Sequence, residues 1–292
     1  MAVKKRKKAL SSGRPPVVTK LQNAKSMTSK TSRTIINTHH RLQKEKAIAI
    51  KAGDIPKAEQ IEKQIEVNGG LKTYQAASIQ GQAATRGGDS SKLLVQWLQE
   101  AGIIKKKAEK TALPQSVFRV LEVGALSTTN EISKYPQIMD VTRIDLNSQA
   151  PGIQQQDFME RPLPKGPEEM FDIISLSLVL NYVPTPHGRG DMLRRLCHFL
   201  RCQTDGSKGE NGVLPALFFV LPLHCVTNSR YMDEERLMEI MASLGFVLCQ
   251  RKTSLKLCYY LYRWNGKSSG TKWPRKQVRN GPGMNNFCII LK

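Results

Sequence analysis

Between about Ser32 and Gly102 apolar and polar positions alternate at helical spacing. From about Ser32 to Gln64 the chain is rich in helix formers, and Ile48, Ile55, Ile61 and Ile65 recur around a break at Gly53-Asp54-Ile55-Pro56. Two helices are expected. Asp54 is placed to cap the second, and Pro56 falls in its first turn, where a missing amide proton costs little. Asn68-Gly69-Gly70 reads as a turn before a helix-compatible stretch, Leu71 to Gln82. Leu93, Leu94, Trp97 and Leu98 form the apolar stripe of another helix, ending near Gly102.

From Val117 onward the pattern changes to short apolar runs separated by helical stretches. Expected strands are Val117–Val123, Asp140–Asp145, Phe171–Leu176, Ala216–Leu221, Phe246–Arg251, Leu257–Trp264 and Phe287–Leu291, with helices over Gly190–Leu200 and Asp233–Leu244. Strands alternating with helices predict an α/β fold, a Rossmann-like, mostly parallel sheet. The three runs after the last helix suggest an antiparallel addition at one edge. Three regions follow: a disordered basic tail over residues 1–31, a helical accessory region over 32–112, and the sheet domain over 113–292.

Composition adds one point and charge another. With 292 residues and 40% apolar content, the chain can bury one full α/β core and carry a smaller accessory region. No apolar run is long enough for a membrane span, and the N-terminus lacks the apolar segment of a secretory signal, so a soluble intracellular protein without membrane attachment is expected. The six cysteines contain no Cys-x-x-Cys pair, which argues against a zinc site and a disulfide framework; free thiols and no bound metal are expected.

The net charge of +21 is concentrated at the ends. Residues 1–46 hold 13 Lys/Arg and one acid, and residues 240–292 hold 10 Lys/Arg and no acid, around a nearly neutral middle. Two basic ends on a neutral body point to a polyanion, with RNA phosphates as the leading candidate. Lys4-Lys5-Arg6-Lys7-Lys8 reads as a nuclear or nucleolar address and an RNA tether, or as a solvated tail. Among the C-terminal charges, Tyr259, Tyr260, Tyr262 and Trp264 lie in a strand-like run and half of them should be core. Trp273, flanked by Lys272, Pro274, Arg275 and Lys276, is a candidate for base stacking from an exposed loop.

The candidate chemistry sits at the expected strand ends. The run Phe118 to Val123 ends in Glu122-Val123-Gly124, where the chain should turn into a helix and Gly124 would let a ligand approach the backbone. Asp145 ends the second strand about 20 residues later, where a Rossmann-type site places a carboxylate on the ribose hydroxyls of an adenosine. Asp157 and Phe158 follow at the distance of a third strand's end. They could accept from an adenine amino group and cover its ring; alternatively Asp157 caps a turn and Phe158 is core. The run from Phe171 to Pro184 is a buried strand feeding a loop, in which Asn181 and Tyr182 are the polar candidates to touch cofactor or substrate, or to pack.

Taken together, Glu122-Val123-Gly124, Asp145, Asp157-Phe158 and FDIISLSLVLNYVP resemble class I S-adenosylmethionine-dependent methyltransferases. Leu126 and Thr128 depart from that pattern, standing where further glycines are usual, which also argues against a nicotinamide enzyme. More narrowly, LEVGALSTTN, RIDLNSQAPGIQQQDFMERPLP and SLVLNYVPTPHGRGDMLRRL, preceded by GGLKTYQAASIQGQ, resemble the fungal adenine-N1 methyltransferases of large-subunit (25S) ribosomal RNA.

That resemblance implies a nucleolar enzyme that uses S-adenosyl-L-methionine on rRNA or a pre-ribosomal particle; the charged ends make a monomer the expected state. By position it makes Gly124 and Asp145 cofactor contacts, with Glu122, Asp157 and Phe158 beside them and Asn181 and Tyr182 near the reacting atoms. Tyr74 to Gln82 is a candidate cover for the site. Two other readings remain: an S-adenosylmethionine sensor acting through a protein partner, and a non-catalytic ribosome-assembly factor.

Overall fold

A computed structural model describes residues 27–81, 88–104, 117–148, 150–201 and 212–292. The basic run near the N-terminus, Gln82, Lys105 to Lys107 and Cys202 lie outside the described residues. Helix α1 (Ser29–Lys51) starts inside the stretch expected as tail, and the Thr28 hydroxyl accepts from the Thr31 amide to cap it. Helix α2 (Ile55–Val67) begins as its sequence dictates, with the Asp54 carboxylate accepting from the Lys57 amide at 3.2 Å and Pro56 in the first turn. Helix α3 (Gly70–Gly81) follows directly.

The first two helices share a small core of Leu42, Ala49, Ala58, Ile61 and Ile65. Of the four periodic isoleucines only Ile61 and Ile65 are buried; Ile48 and Ile55 are 67% and 53% exposed. Leu42 and Ala49 supply the inward face of α1 instead. The Lys46 ammonium and Glu62 carboxylate close the pair from outside at 2.6 Å.

Among the described residues seven strands form one sheet: β1 (Phe118–Val123), β2 (Met139–Asp145), β3 (Gln154–Gln155), β4 (Ile173–Ser177), β5 (Ala216–Pro222), β6 (Phe246–Thr253) and β7 (Leu257–Trp264), in the order β3-β2-β1-β4-β5-β7-β6. The first five are parallel, and β7 is antiparallel to both of its neighbours. The expected Rossmann-like sheet with an antiparallel edge is therefore the observed one. Ala216 to Leu221 are inaccessible to solvent, as a continuous apolar run in a doubly covered strand requires. Edge strand β6 instead exposes Arg251 and Lys252, charges that discourage pairing with another chain.

The layers differ from expectation in three places. Helix α4 (Ser91–Glu100), which the sequence groups with the accessory region, belongs to the sheet: Leu94, Val95, Trp97 and Leu98 pack with Val120, Ile173 and Phe218. The helix expected after Gly124 is only a single 3-10 turn, Glu131–Lys134. That stretch is short and polar, and the space on the sheet is already taken by α4. Asp89 ties the two together, accepting from the Ser91 amide and hydroxyl and from the Glu131 amide.

On the other face, α5 (Pro186–Phe199), α6 (His224–Thr227) and α7 (Glu234–Ser243) cover Leu176, Phe219 and Tyr260. The segment Phe287–Leu291 is the third correction, because it joins no strand of the sheet. Among the described residues its one ladder contact is a bridge between Leu291 and Trp273. It runs along α5, where Arg189 donates to the Cys288 carbonyl at 2.8 Å and the Ile290 amide donates to the Pro186 carbonyl at 3.0 Å. Phe287, Cys288, Ile289 and Leu291 are buried there. The apolar pattern of this run reflects burial under a helix, not pairing.

Trp273 is likewise not a free platform. Its ring packs on the core, its indole N–H donates to the Ser243 hydroxyl at 2.9 Å, and the Arg236 guanidinium covers its face. Cys225, Cys258 and Cys288 are buried, and Cys197 and Cys249 are half-buried; all five are free thiols. No described helix is long and apolar enough to cross a membrane, and no group of three or more metal-binding side chains occurs among the described residues.

Candidate active site

The strand order reverses between β1 and β4, and in a sheet wound this way a ligand crevice lies at the carboxyl ends of these strands. Gly124 ends β1 with φ +75°, a left-handed conformation that L side chains adopt only under strain. A Cβ there would also collide with the Val179 side chain. The Gly124 and Ala125 amides both donate to the Ile144 carbonyl, at 2.9 and 3.1 Å. This pulls the end of β1 against the end of β2 and sets Gly124 beside Asp145.

Asp145 is half-buried. One oxygen, Oδ1, accepts from the Asn147 amide at 2.8 Å, and the carboxylate has no ion pair among the described residues. Burial pushes its pKa up, partly offset by the Asn147 hydrogen bond. A carboxylate held on one oxygen and left unneutralised at a switch point is equipped to accept from ligand hydroxyls. The Gln156 amide donates to the Asp145 carbonyl at 2.9 Å and brings Asp157 alongside.

The other predicted residues are placed as follows. Glu122 points into the protein. Asn130 donates to its Oε1 at 2.7 Å and Arg143 stands 3.5 Å from Oε2, close enough for charge attraction but without hydrogen-bond geometry. Burial raises its pKa. Its observed contacts brace the loop after β1. Asp157 Oδ1 accepts from the Met159 amide at 2.7 Å, so it caps the following turn. Phe158 is a core residue, 3% exposed, with its ring on Phe199, as in the alternative that places it in the core.

Asn181 and Tyr182 lie in a 3-10 turn, Leu180–Tyr182, just past β4. They are aimed by Leu178, a non-glycine residue at φ 58° whose amide donates to the Val220 carbonyl at 3.0 Å. That conformation costs about 1–2 kcal/mol for an L residue, the kind of strain that gathers at functional sites. Asn181 Oδ1 is buried without a hydrogen bond.

The helical layer closes over these residues. His40 stacks on Tyr182 with ring centroids 3.8 Å apart, Tyr74 meets His40 edge-on at 5.0 Å, and His39 stacks on Tyr74 at 4.4 Å. Burial, with the nearby charges of His39 and Lys44, lowers the His40 pKa to about 3, so the imidazole is neutral; its Nε2 is buried and unpaired. Burial and then Tyr182 raise the Tyr74 hydroxyl to about 12. Gln75 Nε2 donates to the Asn147 carbonyl at 2.5 Å, joining α3 to the loop after β2. Two cations stand nearby: burial and Arg189 lower the pKa of Lys44, and burial lowers that of Arg189.

Sequence reasoning did not find His39, His40, Lys44 or Arg189. The adjacent histidines in a polar helix were a signal, but no local spacing links them to Tyr182, which lies far along the chain.

A family model described as 25S rRNA (adenine(2142)-N(1))-methyltransferase, Bmt2, matches residues 59–289. The chain belongs to the Bmt2 family. The match takes in most of α2, α3, the whole sheet and the start of the C-terminal segment on α5, while all of α1 precedes it. A Bmt2-family relative from Saccharomyces cerevisiae, 25S rRNA (adenine(2142)-N(1))-methyltransferase, is 41% identical over 232 residues, covering 78% of this chain and 62% of the relative. The 25S rRNA adenine-N(1) methyltransferase of Schizosaccharomyces pombe is 40% identical over 258 residues, covering 87% of this chain and 89% of that protein. Among solved structures, the 1,6-didemethyltoxoflavin-N1-methyltransferase of Burkholderia thailandensis, with bound S-adenosylhomocysteine, overlaps 51% of this chain and 71% of its own at 16% identity and a TM-score of 0.37.

Proposed function

We propose that this Bmt2-family chain is an S-adenosylmethionine-dependent methyltransferase that modifies N1 of an adenine in large-subunit ribosomal RNA. The observation that carries the reading is Asp145: a carboxylate with no ion pair among the described residues, at the switch point and beside a glycine held in the left-handed conformation. Those residues fit an adenosine-type cofactor, with Asp145 at the ribose and Gly124 beneath the ligand. Glu122 and Asp157 support the surrounding loops, and Phe158 supports them from the core. The bound cofactor supplies an electrophilic methyl group on a sulfonium.

The chain's own part is positioning. Adenine N1 carries a lone pair, so no side chain need remove a proton before transfer, and orientation can supply much of the acceleration. Tyr182 offers a ring on which an unstacked base can lie, and Asn181 Oδ1 offers a buried acceptor for an exocyclic amino group. Lys44, with the basic chain ends, favours a polyanionic substrate. The partner is rRNA free or within a pre-ribosomal particle, the chain acts as a monomer, and the basic N-terminal run directs it to the nucleolus.

The test is transfer of labelled methyl groups from S-adenosylmethionine to unmodified large-subunit rRNA. Wild-type protein should label the RNA at an adenine that then blocks primer extension, and Asp145→Ala should not. Cofactor binding without any labelling would favour a sensor and reject the enzyme.

A further inference from the structure

One buried acceptor on the helical layer is held with particular definition. Gln75, on α3, is 6% exposed. Its Nε2 donates to the Asn147 carbonyl at 2.5 Å. A carbonyl can only accept, so this bond fixes which end of the amide carries the oxygen. That oxygen, Oε1, is buried and has no hydrogen-bond partner.

A buried acceptor without a donor carries a desolvation cost that a ligand donor would relieve. The same residue, Asn147, gives its amide to Asp145 Oδ1 at 2.8 Å. Gln75 and Asp145 thus grip one residue from opposite ends. Each retains an acceptor oxygen that makes no hydrogen bond among the described residues.

We infer that Gln75 is a cofactor-binding residue: its Oε1 and the free oxygen of Asp145 together accept from the two vicinal hydroxyls of the cofactor's ribose. A ribose diol offers two O–H donors side by side, which a single carboxylate oxygen serves incompletely. The helical layer therefore completes the cofactor site, and the cofactor bridges α3 to the sheet. This inference rests on the reading that the crevice holds S-adenosylmethionine.

The experiment is calorimetric binding of S-adenosylhomocysteine, and of its 2′,3′-dideoxy analogue, to the full chain and to Gln75→Ala. Wild type should bind the parent compound and bind the analogue more weakly. Gln75→Ala should lose roughly tenfold in affinity for the parent and almost nothing for the analogue, as expected when the lost partner is a hydroxyl. Gln75→Met, which keeps the side chain's length, should behave like Gln75→Ala, so a folding defect specific to the smaller residue is recognised. Equal losses for both ligands would mean that Gln75 only supports packing, and unchanged affinity for the parent would mean that it does not face the ribose; either overturns the inference. Failure of the wild-type chain to bind S-adenosylhomocysteine would remove the cofactor reading itself.

Discussion

His40 lies flat on Tyr182, with ring centroids 3.8 Å apart and planes 16° from parallel. No ring can enter between them at that spacing. A base that uses this face of Tyr182 must take the place of the imidazole, so α1 has to shift as RNA engages. At saturating cofactor, Tyr182→Ala should lower methyl transfer by about tenfold or more, given ~1–3 kcal/mol for a base stacked on an aromatic ring. Tyr182→Phe should retain most of the activity. Wild-type rates in Tyr182→Ala would leave the ring with a packing task only.

The same histidine makes stability depend on pH. Its pKa is about 3 in the fold, against 6.5 as the ordinary value. The released or unfolded state therefore binds a proton that the folded state refuses, and stability falls as pH drops through the window between these values. Between about pH 7.5 and about pH 5.5 the loss should be about 1 kcal/mol. His40→Phe keeps a ring on Tyr182 and cannot titrate there, so urea unfolding of the variant should lack this increment. Parallel pH profiles for both proteins would show that the imidazole is not held neutral.

How much of this was legible beforehand depended on the range of the interactions. The strand-end acids and Gly124 could be read because sheet topology turns their spacing along the chain into proximity, and β5 because its unbroken apolar run demands cover on both faces. Phe287–Leu291 misled because burial under α5 and burial in a sheet produce the same apolar run; what separates them is Gly190, whose role shows only when two distant segments meet. The site contacts of His40 and Gln75 come from helices docked on the sheet from outside it, and no period encodes such docking. Trp273 misled for the opposite reason: its charged neighbours suggested an exposed loop, while the ring itself turned inward.

Gly190 permits the close crossing of α5 by the C-terminal segment. A Cβ at that position would meet the Ile290 carbonyl oxygen, a backbone atom that cannot swing aside as a side chain does. Gly190→Ala should displace Phe287–Leu291, uncover part of the core beneath it and cost about 2 kcal/mol or more. Urea unfolding should show the loss, and amide exchange should be faster at Ile290 and Leu291. A variant as stable as wild type would mean that the segment can lift without leaving the core.

At Gly124 two effects act together, and they can be separated. An alanine would be forced to φ +75°, costing about 1–2 kcal/mol, and would also strike Val179. Gly124→Ala should therefore weaken both stability and S-adenosylhomocysteine binding. Removing the obstructing methyls in Gly124→Ala/Val179→Ala relieves the collision and leaves the backbone term. The double variant should recover part of the loss relative to what the two single changes predict by addition, with a coupling of about 1 kcal/mol in urea unfolding. Strict additivity would mean that Val179 already moves aside, and that the backbone conformation alone explains why glycine is needed where β1 ends.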